Sequence, residues 1–255
     1  MYIQQISIDI NSKIDKDELV DEFGILMGFY RGSGQTQGSV ESQYIFDNKI
    51  VSLPYTLEKK SLNKKHDNFY VARQTKKIEG LCNAKIQFKT VGKDYESYKS
   101  PCNCKTSSFY ILITNYLTIY SPLTCGDCNY YVPLYKLPKY YDHGYKPILS
   151  WETNYKSCDS LQMNCEVGER WALNQMQEVS SQLSKQGLEI CHKISELTNV
   201  PTYYHLHDYR KYKIDQSKKK CPNCNRKWHL KEPLHKFYDF KCDNCKLVSV
   251  ISPNA

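Results

Sequence analysis

Residues 221–245 read CPNCNRKWHLKEPLHKFYDFKCDNC, with Cys221-Pro222-Asn223-Cys224 at one end and Cys242-Asp243-Asn244-Cys245 at the other. Each Cys-x-x-Cys turn directs two thiolates at one point, and the seventeen residues between the turns allow a short hairpin that brings them together. The expected product is a tetrahedral four-cysteine metal site, a zinc ribbon. Zinc is redox-silent and suits closed sulfur tetrahedra, although iron also occupies four-cysteine sites.

A second quartet stands upstream: Cys102-x-Cys104 and Cys125-Gly126-Asp127-Cys128, with twenty residues between the pairs. Cys-x-Cys is a less usual half-site, because the thiolates of alternate residues on an extended strand do not converge on one point unless the backbone turns. Gly126 supports a tight knuckle. The competing reading is a set of buried thiols packed as small hydrophobes. Two structural zinc ions are expected, one on Cys221, Cys224, Cys242 and Cys245 and one on Cys102, Cys104, Cys125 and Cys128. Of the other four cysteines, Cys191 lies beside an apolar helical stripe and reads as a core residue, while Cys82, Cys158 and Cys165 complete no quartet.

Met1 opens into MYIQQISIDI, without a basic segment leading into an apolar one, and no run of 18 or more apolar residues follows. A cytoplasmic protein without membrane spans is expected. In a reducing compartment twelve cysteines point to metal rather than to disulfides.

Outward from the cysteines, the first ninety residues alternate strand-like and helix-like segments. Ile6, Ile8 and Ile10 share one face of a strand, and Leu19, Val20, Phe23, Leu26 and Met27 recur at helical spacing over 15–29. The polar run at 32–39 reads as a flexible loop, 44–53 as a strand, 63–82 as a helix and 85–91 as a strand. FYILITNYLTIY at 109–120 is rich in β-branched and aromatic residues and reads as a strand, or two broken near Asn115. Trp171, Met176, Val179, Leu183, Ile190, Ile194 and Leu197 mark a long amphipathic helix over 168–198, bent at Gly187. The expected fold class is α+β: a small N-terminal mixed α/β sheet domain over 1–95, a central cysteine-rich β zinc module over 96–200 that includes the long helix, and a C-terminal four-cysteine zinc ribbon over 201–255.

The formal net charge is +8, and residues 201–255 hold twelve basic against five acidic residues. A basic end of this kind suits a polyanionic partner. Lys218, Lys219, Lys220, Arg226, Lys227 and Trp228 are the candidate nucleic-acid contacts, since cations and aromatic rings interleaved in this way both grip phosphates and stack bases. Ribbons also use aromatics for their own small cores. His205 and His207 share a strand face with Tyr203 and Tyr209 and read as an aromatic row rather than as ligands. The Gly-rich run at 32–39 lacks the Lys-Ser/Thr of a phosphate loop. No complete catalytic set is evident, so an enzyme is not expected.

These motifs together resemble a bacterial family of unknown function, described as zinc-ribbon-containing proteins with a suggested role in binding nucleic acid. The resemblance rests on Cys102-x-Cys104, Pro122-Leu123-x-Cys125-Gly126-Asp127-Cys128, 132–138 (VPLYKLP), 168–176 (GERWALNQM), 201–204 (PTYY), Cys221-Pro222-x-Cys224 and 239–249 (DFKCDNCKLVS). It implies both metal sites and supplies no activity. Asn225 stands where the family's first knuckle often carries Gly, and Asn also tolerates a left-handed turn. The expected function is zinc-dependent, non-enzymatic nucleic-acid binding; the alternative is a protein-interaction module, an inhibitor or immunity-type partner, whose zincs only hold its shape.

Overall fold

The computed structural model describes residues 1–11, 14–39, 42–95, 100–140, 144–209 and 216–251; Arg210, Lys211 and Lys213 of the basic end lie outside them. The chain forms two compact units. One holds Met1–Pro101, Ile119–Ser121 and Tyr130–Lys146; the other holds Cys102–Thr118, Pro122–Asn129 and Pro147–Ala255.

In the first unit, β1 (Tyr2–Asp9) leads into α1 (Lys16–Gly32), whose start is fixed by Asp15 accepting the Asp17 N–H at 3.0 Å. Next come β2 (Tyr44–Phe46), β3 (Lys49–Ser52), β4 (Tyr55–Thr56), α2 (Phe69–Cys82) and β5 (Gln87–Lys93). β1 pairs antiparallel with β3 and β4 along one edge and with β5 along the other. Ile6 and Ile8 from β1 pack with Phe23 and Leu26 from α1 and with Val71 and Ile78 from α2. Burial of these apolar stripes is what selects the two periodicities.

Three expectations fail in this unit. The helix read over 63–82 begins only at Phe69, where Asn68 caps it by accepting the Val71 N–H at 2.9 Å. The single strand at 44–53 is a hairpin, because Asp47 and Asn48 both take positive φ (49° and 53°) and turn the chain between β2 and β3. The run at 32–39 is packed rather than loose: Gln35 is fully buried, and its Nε2 donates to the Ser61 carbonyl at 3.0 Å and to Asp67 Oδ1 at 3.2 Å. Polar composition here builds an internal hydrogen-bond network.

The second unit is organised by β6 (Tyr110–Leu112), β7 (Leu123–Cys125), α3 (Lys146–Asn164), α4 (Glu169–Gln177), α5 (Gln182–Thr198), β8 (Thr202–His205), β9 (His229–Leu234), β10 (Tyr238–Cys242) and β11 (Leu247–Ser249). Its sheet runs β7-β6-β8-β11-β10-β9. β8 is parallel to both neighbours, pairing Tyr110 with Thr202 and Leu247 with Tyr204. One strand thus joins the hairpin of the upstream cysteines to that of the downstream ones. Ile111, Tyr203, Tyr238 and Val248, one from each of β6, β8, β10 and β11, form a common buried cluster.

Here the long helix at 168–198 is two helices, broken at 178–181 rather than bent at Gly187. The Ser181 hydroxyl donates to the Gln175 carbonyl at 2.6 Å and accepts the Ser184 N–H at 3.0 Å, ending one helix and capping the next. Met176, Leu183, Ile190 and Ile194 are buried, whereas Trp171, five residues before Met176 and so on another face of the same helix, is 59% exposed. In the 109–120 run only 110–112 is strand, because Asn115 Oδ1 accepts the N–H groups of Leu117 and Thr118 and makes a turn.

Candidate metal centres

The ribbon quartet is assembled by two knuckles of one plan. After Cys224, Asn225 takes a left-handed conformation (φ 58°) and its N–H donates to the Cys221 carbonyl at 2.9 Å; the Cys221 N–H donates to the Arg226 carbonyl, also at 2.9 Å. After Cys245, Lys246 is left-handed as well (φ 53°). β10 delivers Cys242, and the turn into β11 delivers Cys245. The central quartet repeats the device once: Asn129 (φ 57°) follows Cys128 and donates to the Cys125 carbonyl at 2.9 Å. Gly126 is required there, since a Cβ would stand 2.3 Å from the Phe109 ring. The half-site on the other side bends at 102–104, where the Cys104 N–H reaches back to Cys102 Sγ at 3.4 Å.

In each quartet the four sulfurs lie within 4.8 Å of one another. The Cys102–Cys128 and Cys224–Cys242 separations are 3.6 Å, and the Cys104–Cys125 separation is 4.0 Å. A tetrahedron with metal–sulfur bonds of about 2.3 Å has edges of about 3.8 Å, so both quartets could hold a metal ion, and neither has the spacing of a disulfide. Donors already surround the sulfurs: the Asp127 N–H at 3.4 Å and the Ser107 hydroxyl at 3.2 Å from Cys125, and Asn223 Nδ2 at 3.4 Å from Cys245. Without metal the thiols are unlike one another. Burial pushes Cys221 up to about 12, whereas the Arg226 N–H and neighbouring thiols hold Cys224 at about 7. Burial also raises Cys102 and Cys242.

The candidate nucleic-acid residues divide. Lys218, Lys220, Arg226 and Lys227 are exposed, and a backbone bridge sets Lys220 opposite Lys227 beside the first knuckle. Lys219 instead forms an ion pair with buried Asp208 and lies over the Phe240 ring at 5.6 Å. Trp228 is buried and stacks on Phe240 at 4.9 Å, so it serves the ribbon's own core and offers no face to a base. Cys191 and Cys158 are buried, Cys165 is exposed, and none of them joins a metal group among the described residues.

Local reading of the sequence missed the residues that tie the two quartets together. His235, at the ribbon hairpin turn, meets the Gly126 carbonyl inside the other knuckle at 2.7 Å. Tyr203 on β8 donates to Asp243 at 2.5 Å, and Lys241 lies over the rings of Tyr203 (4.6 Å) and Phe109 (5.2 Å). No spacing rule in the sequence joins positions so far apart.

Over 168 residues the chain is 34% identical to an uncharacterized protein of Haemophilus influenzae, spanning 66% of this chain and 82% of the relative. A second uncharacterized protein of the same organism is 33% identical over 198 residues, 77% of this chain and 76% of the relative. The chain belongs to the family of these Haemophilus proteins. Within it, three matches described as domains of unknown function cover 1–92 (DUF8589), 104–207 (DUF2310) and 210–255 (DUF8594). The family's middle segment supplies Cys104, Cys125 and Cys128 with β6, β7 and β8, and its last segment supplies the whole ribbon quartet with β9, β10 and β11. Two segments that match separately therefore form one sheet. No solved structure matches the chain.

Proposed function

We propose that both quartets hold zinc, that the two ions are structural, and that this non-enzymatic, cytoplasmic protein binds nucleic acid through the basic surface beside the first ribbon knuckle. All-sulfur tetrahedra without an open position are the ordinary form of structural zinc sites. The observation that carries the nucleic-acid reading is the exposed group Lys220, Arg226 and Lys227, held around the knuckle by the Lys220–Lys227 bridge. Cations gathered in this way contact phosphate without regard to sequence. With Trp228 buried, affinity at this surface is electrostatic. The test is retention of zinc-loaded wild type and a Lys220→Glu/Arg226→Glu/Lys227→Glu variant on single-stranded DNA, duplex DNA and RNA at low salt. Equal, negligible retention of both proteins would remove the reading.

A second reading, docking to a protein partner with the zincs purely structural, draws on a different surface. Tyr44, Ile45 and Phe46 of strand β2 are all exposed, Phe46 at 69%. An edge strand with such side chains is a template for pairing with another chain. Co-purification at stoichiometric amounts from nuclease-treated lysate, abolished by Phe46→Lys, would favour it.

A further inference from the structure

Three helices of the second unit, α3, α4 and α5, enclose a groove of about 260 Å³. Helical spacing explains its lining: Asn154, Ser157 and Leu161 form one stripe on α3, Trp171 and Gln175 one on α4, and Gln182 and Gln186 one on α5. The break at Ser181 turns the last pair to face the others, and Gln175 Oε1 holds the junction by accepting the Leu183 N–H at 3.3 Å. Among the described residues no charged side chain lines the groove. Its aromatic wall is Trp171, whose indole is 59% exposed. The exposed indole thus borders a groove that it shares with the carboxamides of Asn154, Gln175, Gln182 and Gln186.

We propose that this groove binds a nucleobase, with the ring stacked on Trp171 and its edge read by the carboxamides. The absence of charge speaks against a phosphate or carboxylate inside it. The carboxamides of Asn154, Gln182 and Gln186 each carry a donor and an acceptor side by side, which matches the paired N6 and N7 edge of adenine. The volume lies below the range of about 300–1,000 Å³ typical of drug-sized ligands, so the groove admits one ring system. The base can belong to a single strand or to a free nucleoside. The single-strand case rests on the nucleic-acid reading above but uses residues apart from the basic knuckle.

The chain has three tryptophans, and Trp151 and Trp228 are buried, so quenching of the solvent-exposed indole reports on Trp171. Zinc-loaded full-length protein is titrated with adenosine and with a single-stranded adenine oligonucleotide, following fluorescence and heat. Quenching of the wild type by either is the expected result, with an affinity, read from the heat of binding, that falls about 5- to 150-fold in Trp171→Ala and returns in Trp171→Phe. Weakening by Gln182→Ala with zinc content unchanged would support reading of the base edge. Oligonucleotide binding that is lost in the Lys220→Glu/Arg226→Glu/Lys227→Glu variant but untouched by Trp171→Ala, with no response to adenosine, would overturn the groove and leave the knuckle reading standing. Trp171-dependent adenosine binding without oligonucleotide binding would do the reverse. Absence of both ligands' binding to wild type would overturn both.

Discussion

His235 Nε2 lies 2.7 Å from the carbonyl oxygen of Gly126, so the hairpin turn of the ribbon clasps the knuckle of the other cysteine quartet. Together with the pairing of β8 to both β6 and β11, this contact makes the two proposed zinc centres supports of one sheet. Cys242→Ser should therefore do more than lower zinc content from two ions to one. Hydrogen exchange should also accelerate at 110–112 and 123–126, because structural zinc supplies folding free energy that the sheet shares. Unchanged protection there would mean that the quartets fold independently. His235→Ala, which leaves every cysteine in place, should cost about 1 kcal/mol in denaturant unfolding at constant zinc stoichiometry.

Metal binding should release protons. Cys221, pushed up to about 12 by burial, and Cys242, also raised by burial, are thiols at neutral pH and must ionise to bind zinc. Affinity of the ribbon site should thus fall as pH falls. Calorimetric titration of the stripped protein in two buffers of different ionisation enthalpy checks this; heats independent of buffer would contradict it.

His205 gives a separate acid dependence. Burial, with a smaller contribution from His207, holds its imidazole at about 3 against an ordinary 6.5. The unfolded chain takes up a proton as pH drops through 6.5 while the folded chain does not, so stability is lost on acidification between those values. The slope approaches about 1.4 kcal/mol per pH unit for this one group. His205→Phe, placed among the rings of Phe237 and Tyr238, should flatten the profile between pH 5 and 6.5 relative to wild type. Parallel profiles would show that another group is responsible.

Gly187 should resist the usual helix improvement. Alanine inside a helix normally gains about 0.5–1 kcal/mol over glycine. Here a Cβ would stand 2.3 Å from the Tyr204 ring and 3.0 Å from Trp151 Nε1. Gly187→Ala is expected to destabilise by about 1–3 kcal/mol, visible as a lower Tm, with a gain in Tm as the contrary result.

Binding through the basic knuckle should respond steeply to salt. Three phosphate contacts from Lys220, Arg226 and Lys227 imply a log–log slope of about −2 on a single strand, and removing them should flatten it. Lys219→Glu belongs to a different class, since it breaks the pair with buried Asp208 and should be read out as lost stability.

What the sequence made legible follows from how locally each feature is encoded. The face of Ile6, Ile8 and Ile10, the stripe of Leu19, Phe23 and Leu26, and the left-handed site at Asn225 need only neighbours within a few positions. Helix α3 escaped notice because its buried face includes Glu152, Asp159 and Gln162, which interrupt the apolar stripe. Those residues are accommodated by partners: Lys156 for Glu152 at 2.6 Å, and the Tyr116 N–H for Asp159 at 2.8 Å. The break at Ser181 depends on a single capping hydroxyl, which periodicity does not register. Cysteine spacing identified each quartet but carried no sign of the clasp between His235 and Gly126, since pairing at long range leaves no periodic trace.

The parallel pairing of Tyr110 with Thr202 also sets the timetable of biosynthesis. On a ribosome the β6–β7 hairpin, complete at Cys125, is made 77 residues ahead of the start of β8 at Thr202, an interval of about 4 to 15 s at ordinary elongation rates. Throughout that interval the β6 edge, with the buried side chains Ile111 and Leu112, has no strand to pair with. The nascent chain is then most exposed to aggregation, and metal captured early by the upstream knuckle would hold the hairpin in shape until its partner is made.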